Sequence, residues 1–184
     1  MKKNILRLLA IVLIALFSLS SCALRALIHE AESAPETPPV MFSTFEKKLR
    51  DLLDESEMFK IEKFETTDFS GEDTHVIRII NELASEILYS DQSVTLFVYC
   101  NADNEVTGTS CMAAAGNNVN ISLISRYVYL SLGLSEMDAD TFYDTFEFFE
   151  DEPVESRQKQ ESGWRLTVSY SEKYTHFLCY GPSR

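Results

Sequence analysis

Cys111 is the residue whose surroundings come nearest to a site of chemical reaction. It lies in a run of small residues from Gly108 to Gly116, which could place its thiol beside exposed backbone amides. A cysteine nucleophile needs a base that holds it as a thiolate, and His75 and His176 are the candidates. No catalytic motif surrounds Cys111, so burial as a small apolar residue is the simpler interpretation.

The first 22 residues differ in composition from the rest of the chain. Three basic residues stand among the first seven, and a 12-residue apolar run follows from Leu8 to Leu19. That length is typical of the core of a signal peptide, whereas a membrane-spanning helix needs about 20 apolar residues. The run ends in Leu19-Ser20-Ser21-Cys22, and here the sequence resembles the lipobox of bacterial lipoprotein precursors.

The resemblance implies a fate for Cys22. Residues 1–21 would be the signal peptide, and Cys22 would carry diacylglycerol on its sulfur and an acyl chain such as palmitate on its new N-terminus. Each buried methylene contributes about 0.8 kcal/mol, so two or more chains hold a protein on a membrane. The alternatives are an uncleaved anchor and a conventional cleavage that leaves Cys22 a free thiol.

The residue after the lipobox cysteine bears on the destination. By the same resemblance, Asp at this position marks retention in the inner membrane of enterobacteria, and this chain has Ala23 instead. The resemblance therefore favours the outer membrane, facing the periplasm. Exposure on the cell surface is the alternative.

The net charge limits the partners of the mature chain. Loss of the signal peptide removes three of the 16 basic residues, which leaves 13 against 29 acidic residues and a formal net charge of −16. Phosphate backbones and anionic lipid headgroups repel so acidic a surface. The composition therefore argues against nucleic-acid binding, and it leaves lipid on Cys22 as the means of membrane attachment.

Two regions follow the signal peptide. Residues 22–40 contain the lipidated N-terminus and a tether. Residues 29–39 are acidic and rich in proline without an apolar period, which predicts an extended conformation. Residues 41–184 contain no internal repeat and no second linker, so they are predicted to form a single domain. Apolar residues make up 45% of the chain, which is enough for a folded core.

Cys100 and Cys179 are the candidates for a disulfide. Both fall on predicted strands, and an exported chain matures where disulfides form. With Cys111 they make three thiols, which allow one bridge and one leftover cysteine. Burial of both as free thiols is the alternative.

Asn101, Asp103 and Glu105 are the nearest approach to a metal site. A calcium-binding EF-hand loop counted from Asn101 would have glycine and glutamate where this chain has Val106 and Met112, so a plain turn is the simpler interpretation. The three histidines are too scattered for the usual zinc spacing, and no glycine-rich phosphate loop is present. The sequence predicts no metal and no cofactor.

Tyr170, Tyr174 and Tyr180 are the candidates for a binding surface, because tyrosine combines a large contact area with a polar tip. All three lie on the two strands of a predicted C-terminal hairpin. Side chains alternate between the faces of a strand, so some of the three are expected to face the core instead.

Helical spacing of apolar residues occurs in three segments. The first covers residues 42–53. The second covers residues 76–87 and is predicted to begin at a cap on Asp73 or Thr74. The third covers residues 136–150 and begins at a capping sequence that includes Asp138.

Strand patterns lie between and after these segments. Residues 94–100 are apolar or aromatic at nearly every position, residues 59–64 and 106–112 are further candidates, and residues 164–170 and 174–180 form the hairpin. The pattern between residues 113 and 134 fits either a strand or a helix. Alternation over residues 119–123 favours a strand, whereas the spacing over residues 121–132 fits a helix that ends at Gly133. A strand that gives way to helical or irregular structure is the preferred prediction.

These patterns together predict an α+β domain with about three helices on an antiparallel sheet of four to six strands. The expected function is that of a membrane-anchored envelope lipoprotein whose domain binds another protein or a ligand without catalysis. One alternative is a small envelope thiol enzyme or hydrolase that uses Cys111 with His75 or His176. A second is an inhibitor or immunity-type envelope protein.

Overall fold

The computed structural model of the chain describes residues 38–69, 72–88, 91–149 and 156–181. The predicted signal peptide, Cys22 and most of the predicted tether lie outside these ranges. The described residues belong to one compact unit that begins at Thr37.

One antiparallel sheet of seven strands forms the frame of the described residues, in the order β1-β2-β3-β4-β7-β6-β5. The first four strands follow one another in chain order, and β7 returns to pair with β4. The last three strands therefore extend the sheet in reverse order. The strands are β1 (Phe59–Phe69), β2 (Glu72–Asn81), β3 (Ser93–Cys100), β4 (Val106–Ala114), β5 (Ser156–Glu161), β6 (Trp164–Tyr170) and β7 (Tyr174–Tyr180).

Within the described ranges four helices accompany the sheet: α1 (Phe42–Ser56), α2 (Glu82–Leu88), α3 (Asn118–Ser131) and α4 (Ala139–Phe146). Helices α1, α3 and α4 place buried side chains in a single core against one face of the sheet. The predicted α+β class is confirmed, with seven strands where four to six were expected and four helices where about three were expected.

Helix α1 confirms the first predicted helix. Phe45, Leu49 and Leu53 are buried, as their spacing of four residues requires for one face of a helix. The helix ends at Glu57, which adopts a left-handed conformation with φ of 55° and closes the last turn. This helix packs on α3 and on β1, so it covers one end of the core.

The second predicted helix is wrong over most of its length. Residues 72–81 form strand β2, and only residues 82–88 are helical. Val76, Ile80 and Leu83 recur at helical spacing, but Ile77 and Ile79 are the residues that β2 buries in the core. The segment is rich in β-branched residues, which pack well on a pleated surface. The predicted caps at Asp73 and Thr74 are therefore strand residues.

Helices α3 and α4 follow the sheet's fourth strand. The ambiguous segment from 113 to 134 is the end of β4 followed by α3, so the preferred strand over residues 119–123 is wrong and the helical alternative is confirmed. Ile121, Ile124 and Val128 form the buried stripe of α3. Helix α4 is shorter than predicted and begins later. The predicted capping sequence begins at Ser135, whereas the N-cap is Asp138, whose carboxylate accepts a hydrogen bond of 2.8 Å from the Thr141 N–H.

The predicted strands β1, β3, β4, β6 and β7 are confirmed, and β5 was not predicted. Alternate residues of β3 are buried, namely Val94, Leu96, Val98 and Cys100, and they face the helices. Strand β5 has the sequence Ser-Arg-Gln-Lys-Gln-Glu and therefore shows no alternation in hydrophobicity. It lies at the sheet edge, where polar and charged side chains protect the unpaired backbone.

Candidate functional site

The thiol of Cys111 lies on the helix-facing side of β4 and has no exposed surface. Its neighbours across the sheet are Leu96 on β3 and Phe177 on β7. Burial raises the pKa of Cys111 well above its ordinary value, and the nearby Cys179 adds to the rise. A thiol in this setting stays protonated and out of reach of a substrate, as expected for a packed side chain.

The two candidate bases are not in contact with Cys111. His75 lies on β2, and β3 separates that strand from β4, so at least two strand spacings of about 4.8 Å each intervene. His176 pairs with Met112, whose side chain points away from the helices, so His176 is on the opposite side of the sheet from Cys111. The structure therefore assembles no cysteine–histidine pair from these three residues.

Cys100 and Cys179 do not form the candidate disulfide, and both thiols are buried. Cys100 lies on β3 and Cys179 on β7, and β4 runs between these strands. The two Cα atoms are thus about two strand spacings apart, or roughly 9 to 10 Å, which exceeds the reach of a disulfide. Burial raises the pKa of Cys179 to about 12.

The turn at Asn101 uses its polar atoms internally. The Asn101 carboxamide oxygen accepts hydrogen bonds from the backbone N–H groups of Asp103 and Glu105, at 3.1 and 2.9 Å. Its amide donates to a carboxylate oxygen of Glu105 at 2.8 Å. Within the described residues no group of three or more acidic, histidine or cysteine side chains is placed to hold a metal ion.

The three candidate tyrosines divide between the two faces of the sheet. Tyr174 and Tyr180 lie on the side away from the helices and are 46% and 50% exposed. Tyr170 lies on the helix side, where its hydroxyl donates a hydrogen bond of 2.6 Å to the backbone oxygen of Phe146. Burial raises the pKa of Tyr170. Two of the three candidates therefore share a surface, and the third anchors β6 to α4.

The sheet face turned away from α1, α3 and α4, here called the open face, has an uncharged centre. Its rows are given by the pairing of β3, β4 and β7. None of the side chains that these three strands present there is acidic, Lys or Arg. They are Thr95, Phe97 and Tyr99 on β3, Ser110 and Met112 on β4, and Tyr174, His176, Leu178 and Tyr180 on β7.

Two tyrosines of this face lie on either side of Gly108, which is itself buried. Gly108 pairs with Tyr99 on one side and with Tyr180 on the other. A Cβ atom at position 108 would lie 3.1 Å from the Cys179 backbone oxygen, 3.5 Å from the Tyr99 ring and 3.9 Å from the Tyr180 ring. Glycine therefore allows β4 and β7 to approach closely at this position. Burial raises the pKa of Tyr99, and the Tyr180 phenol adds to the rise.

The sequence contained a signal for Tyr99 that was missed. Tyr99 and Phe97 stand at alternate positions of β3, out of phase with the buried residues Leu96 and Val98. A strand whose two faces are both apolar is typical of a sheet that is covered on both sides. In the structure the helices cover only one face of β3, and Phe97 and Tyr99 on its other face are partly buried.

A cleft of about 250 Å³ lies between the end of α1 and the start of β1. Its lining combines exposed charged groups with the apolar edge of the core: Arg50, Leu53, Asp54, Phe59, Lys60 and Ile61. Ligand pockets usually enclose about 300 to 1,000 Å³ and are mostly apolar, so this open cleft is a weak candidate.

None of the helices in the described ranges has both the length and the apolar composition that a bilayer crossing requires. Comparison of the chain with protein-family models, with curated proteins and with solved structures gives no match. The function must therefore be argued from the surfaces of this chain alone.

Proposed function

We propose that this chain is a bacterial lipoprotein, anchored through lipid on Cys22, whose domain is a binding module with the open face as its binding surface. The observation that carries the proposal is the uncharged, tyrosine-bearing centre of that face. In a mature chain with a formal net charge of −16, nine neighbouring positions without an acid, Lys or Arg form an uncommon surface.

Two further observations support a binding role for this face. Tyr174 and Tyr180 keep about half of their surface exposed on this side of the sheet. Tyrosine is enriched in binding surfaces because its ring supplies contact area at a low cost in side-chain entropy. The lipobox resemblance supports the anchor, since it combines a signal-peptide core of the right length with a cysteine directly after two small residues.

Site-specific photocrosslinking of the full-length chain in living cells tests the surface. A photoreactive phenylalanine derivative replaces Tyr180 in one variant and Lys47, on the solvent side of α1, in a matched control. We expect an adduct from position 180 and none from position 47. Equal adducts from both positions, or none from either, would contradict a binding role for the open face.

A further inference from the structure

Four aliphatic side chains lie exposed at one end of the sheet. They are Leu83, Ile87 and Leu88 of α2 and Val119 at the start of α3, here called the aliphatic patch. Each is between 59% and 65% exposed, more than any other large apolar side chain of the described residues. Leu83 and Ile87 stand four residues apart and therefore share one face of the helix. Single exposed apolar residues are ordinary, but a group of them at one place indicates a contact surface.

Hydrogen bonds hold the two parts of the patch in one place. The Asn81 carboxamide accepts a hydrogen bond of 3.0 Å from the Ala84 N–H, and it donates one of 3.1 Å to the Asn120 carboxamide. The start of α2 is thereby attached to the start of α3. The Ser85 hydroxyl accepts a hydrogen bond of 3.3 Å from the Gln92 N–H, so this side of α2 faces the domain. The aliphatic side of α2 is therefore turned outward.

Two of the acidic residues around the patch form ion pairs. The Glu82 carboxylate lies 2.9 Å from the Lys60 ammonium group, and the Asp91 carboxylate lies 2.8 Å from the Arg78 guanidinium. Helix α2 has one further acidic residue, Glu86. In a mature chain with a formal net charge of −16, this end of the sheet therefore carries little of the excess charge. A surface of net-neutral headgroups does not repel it.

The chemistry of the patch fits acyl chains better than a protein partner. The centres of protein interfaces are rich in Tyr, Trp and Arg, whereas the patch consists of Leu, Ile and Val. A stable protein interface buries about 800 Å² and some 20 to 30 residues on each side, far more than a seven-residue helix and one neighbouring residue provide. A lipid surface sets no such minimum when a covalent anchor already holds the chain beside it.

The patch lies within reach of the membrane that would carry the anchor. Helix α2 precedes β3, and the Val40 backbone oxygen bonds to Val106, which pairs with Cys100 at the far end of that strand. Strand β3 has eight residues and spans about 25 Å between the two ends. Residues 22–37 have a fully extended length of about 55 Å. That length exceeds the distance along β3, so an anchored chain can turn the patch toward the bilayer.

We propose that the aliphatic patch inserts between the acyl chains of the membrane that carries the lipid on Cys22. The proposal depends on the lipid anchor of the proposed function and is independent of the open face. Because the patch lies at the ends of β2 and β3, its insertion stands these strands upright on the bilayer. The open face is then accessible from the side.

Quenching by brominated acyl chains tests this contact. The lipidated mature chain is purified from its membrane fraction and placed in nanodiscs of zwitterionic phosphatidylcholine, with and without bromine on the acyl chains. A fluorophore is attached to Ile87→Cys or, as a matched control, to Phe149→Cys, because Phe149 is about equally exposed and lies beside Tyr143 of α4. We expect quenching at least about twofold stronger at position 87, since only a group among the acyl chains meets the bromine atoms.

A second variant shows whether the patch or the fluorophore causes the insertion. Leu83→Glu in the Ile87→Cys chain adds a carboxylate to the patch, and a carboxylate is costly to place among acyl chains. The quenching at position 87 should then fall to the level at position 149. Circular dichroism of each labelled chain verifies that it is folded.

Co-elution of the chain with the nanodiscs separates this proposal from the proposed function. Co-elution with equal quenching at positions 87 and 149, or quenching that Leu83→Glu leaves unchanged, would overturn the insertion of the patch and leave the anchor in place. A protein adduct from the photoreactive phenylalanine derivative at position 87 in living cells would assign the patch to a protein partner and overturn the proposal as well. Failure of the chain to co-elute with the nanodiscs would overturn both the anchor and the proposal.

Discussion

Tyr129 and Glu161 form a buried polar bridge between α3 and the β5–β6 turn. The Tyr129 hydroxyl donates a hydrogen bond of 2.6 Å to a Glu161 carboxylate oxygen and accepts one of 2.9 Å from the Met137 N–H. Tyr129 has no exposed surface, and Glu161 is 5% exposed. Lys159 lies 3.6 Å from the other carboxylate oxygen. The carboxylate therefore depends on the tyrosine for its shortest hydrogen bond.

We expect Tyr129→Phe to lower the free energy of unfolding by about 1 to 3 kcal/mol. The substitution leaves the Glu161 oxygen with only the 3.3 Å hydrogen bond from the Glu136 N–H, and it removes the acceptor of the Met137 N–H. Urea denaturation measures the change. Tyr174→Phe removes a hydroxyl from an exposed ring and should change the stability by less than about 0.5 kcal/mol. An equal loss of unfolding free energy from the two substitutions would show that the hydrogen bond between Tyr129 and Glu161 does not stabilise the fold.

His75 is held in its neutral form by its surroundings. Its ring stacks on Phe42 with a centroid distance of 3.6 Å, and Nδ1 lies 3.0 Å from the Thr66 hydroxyl. Its Nε2 has no hydrogen-bond partner among the described residues. Burial lowers the pKa of His75, and the nearby carboxylates of Asp73 and Glu46 oppose this only in part.

A pH-dependent stability follows from this lowered pKa. Between the folded pKa and the unfolded value of about 6.5, the unfolded chain binds a proton that the folded chain does not. The contribution of neutral His75 is thus fully present above that unfolded value and is lost as the pH falls below it. We expect the free energy of unfolding to fall between about pH 7.5 and 5.5 by less in His75→Asn than in the unsubstituted chain.

The matched control for this measurement is His176→Asn, which substitutes a partly exposed histidine on the open face. It should retain the pH dependence of the unsubstituted chain. The NMR titration of the His75 ring provides an independent check, with a midpoint expected below about 6.5. A midpoint at or above that value would refute the inferred role of burial.

At the scale of elements, α1 and α2 differ in how much they contribute to the buried core. Leu49 of α1 has no exposed surface, whereas α2 has no buried residue and its Leu83 is 63% exposed. Leu49→Ala should lower the free energy of unfolding by about 2 to 5 kcal/mol through lost burial and a new cavity. Leu83→Ala should change it by less than about 0.5 kcal/mol. Denaturant titrations measure both changes in unfolding free energy, and the dependence on denaturant concentration should be the same in the two variants.

A larger loss from Leu83→Ala than from Leu49→Ala would contradict this assignment of the core. Such a result would mean that α2 is covered in solution. It would also place the main packing surface at the β2–β3 connection and not on the face that α1, α3 and α4 share.

Elements with one clear periodicity could be predicted from the sequence, and those with two could not. In α1 the apolar residues occupy a single helical face, so Phe45, Leu49 and Leu53 determine both its type and its buried side. In β2 the residues 76–80 are apolar or long-chained at every position, so helical spacing exists by coincidence beside the strand alternation. Strand β5 has neither period in its sequence, because its residues are all polar or charged and it pairs with β6 at the edge of the sheet.

The candidate surface was predictable only in part, for a related reason. The last hairpin is evident in the sequence, and alternation along β7 places Tyr174 and Tyr180 on one face. Their neighbour across Gly108 is Tyr99, some 80 residues earlier, and only the pairing of β4 with both β3 and β7 joins them. Strand order in a sheet depends on long-range contacts that local periodicity does not encode.

At the scale of the whole molecule, the first described residues lie beside β4. The Val106 N–H donates a hydrogen bond of 2.8 Å to the Val40 backbone oxygen, two residues from Gly108 on that strand. A fully extended segment of 16 residues, the length of residues 22–37, spans at most about 55 Å. With lipid on Cys22 as proposed, the start of the domain would therefore stay within about that distance of the membrane.

The cysteines allow one measurement to test the anchor and the fold together. Cys100, Cys111 and Cys179 form no disulfide and are fully buried, and Cys22 is expected to carry lipid through its sulfur. Alkylation without a reductant should therefore add no label to the native mature chain and three labels to the unfolded chain, as intact mass spectrometry would show.

The same spectra separate the competing outcomes. A fourth label would mean that Cys22 is a free thiol, and a single label would mean that two of the three buried thiols form a bridge. Labelling of the native chain would show that the sheet opens locally or that a cysteine is more accessible than its burial implies. Metabolic labelling with an alkyne-tagged palmitate should label the unsubstituted chain, and Cys22→Ala should abolish that label. Equal labelling of the two chains would refute lipid on Cys22 as the anchor.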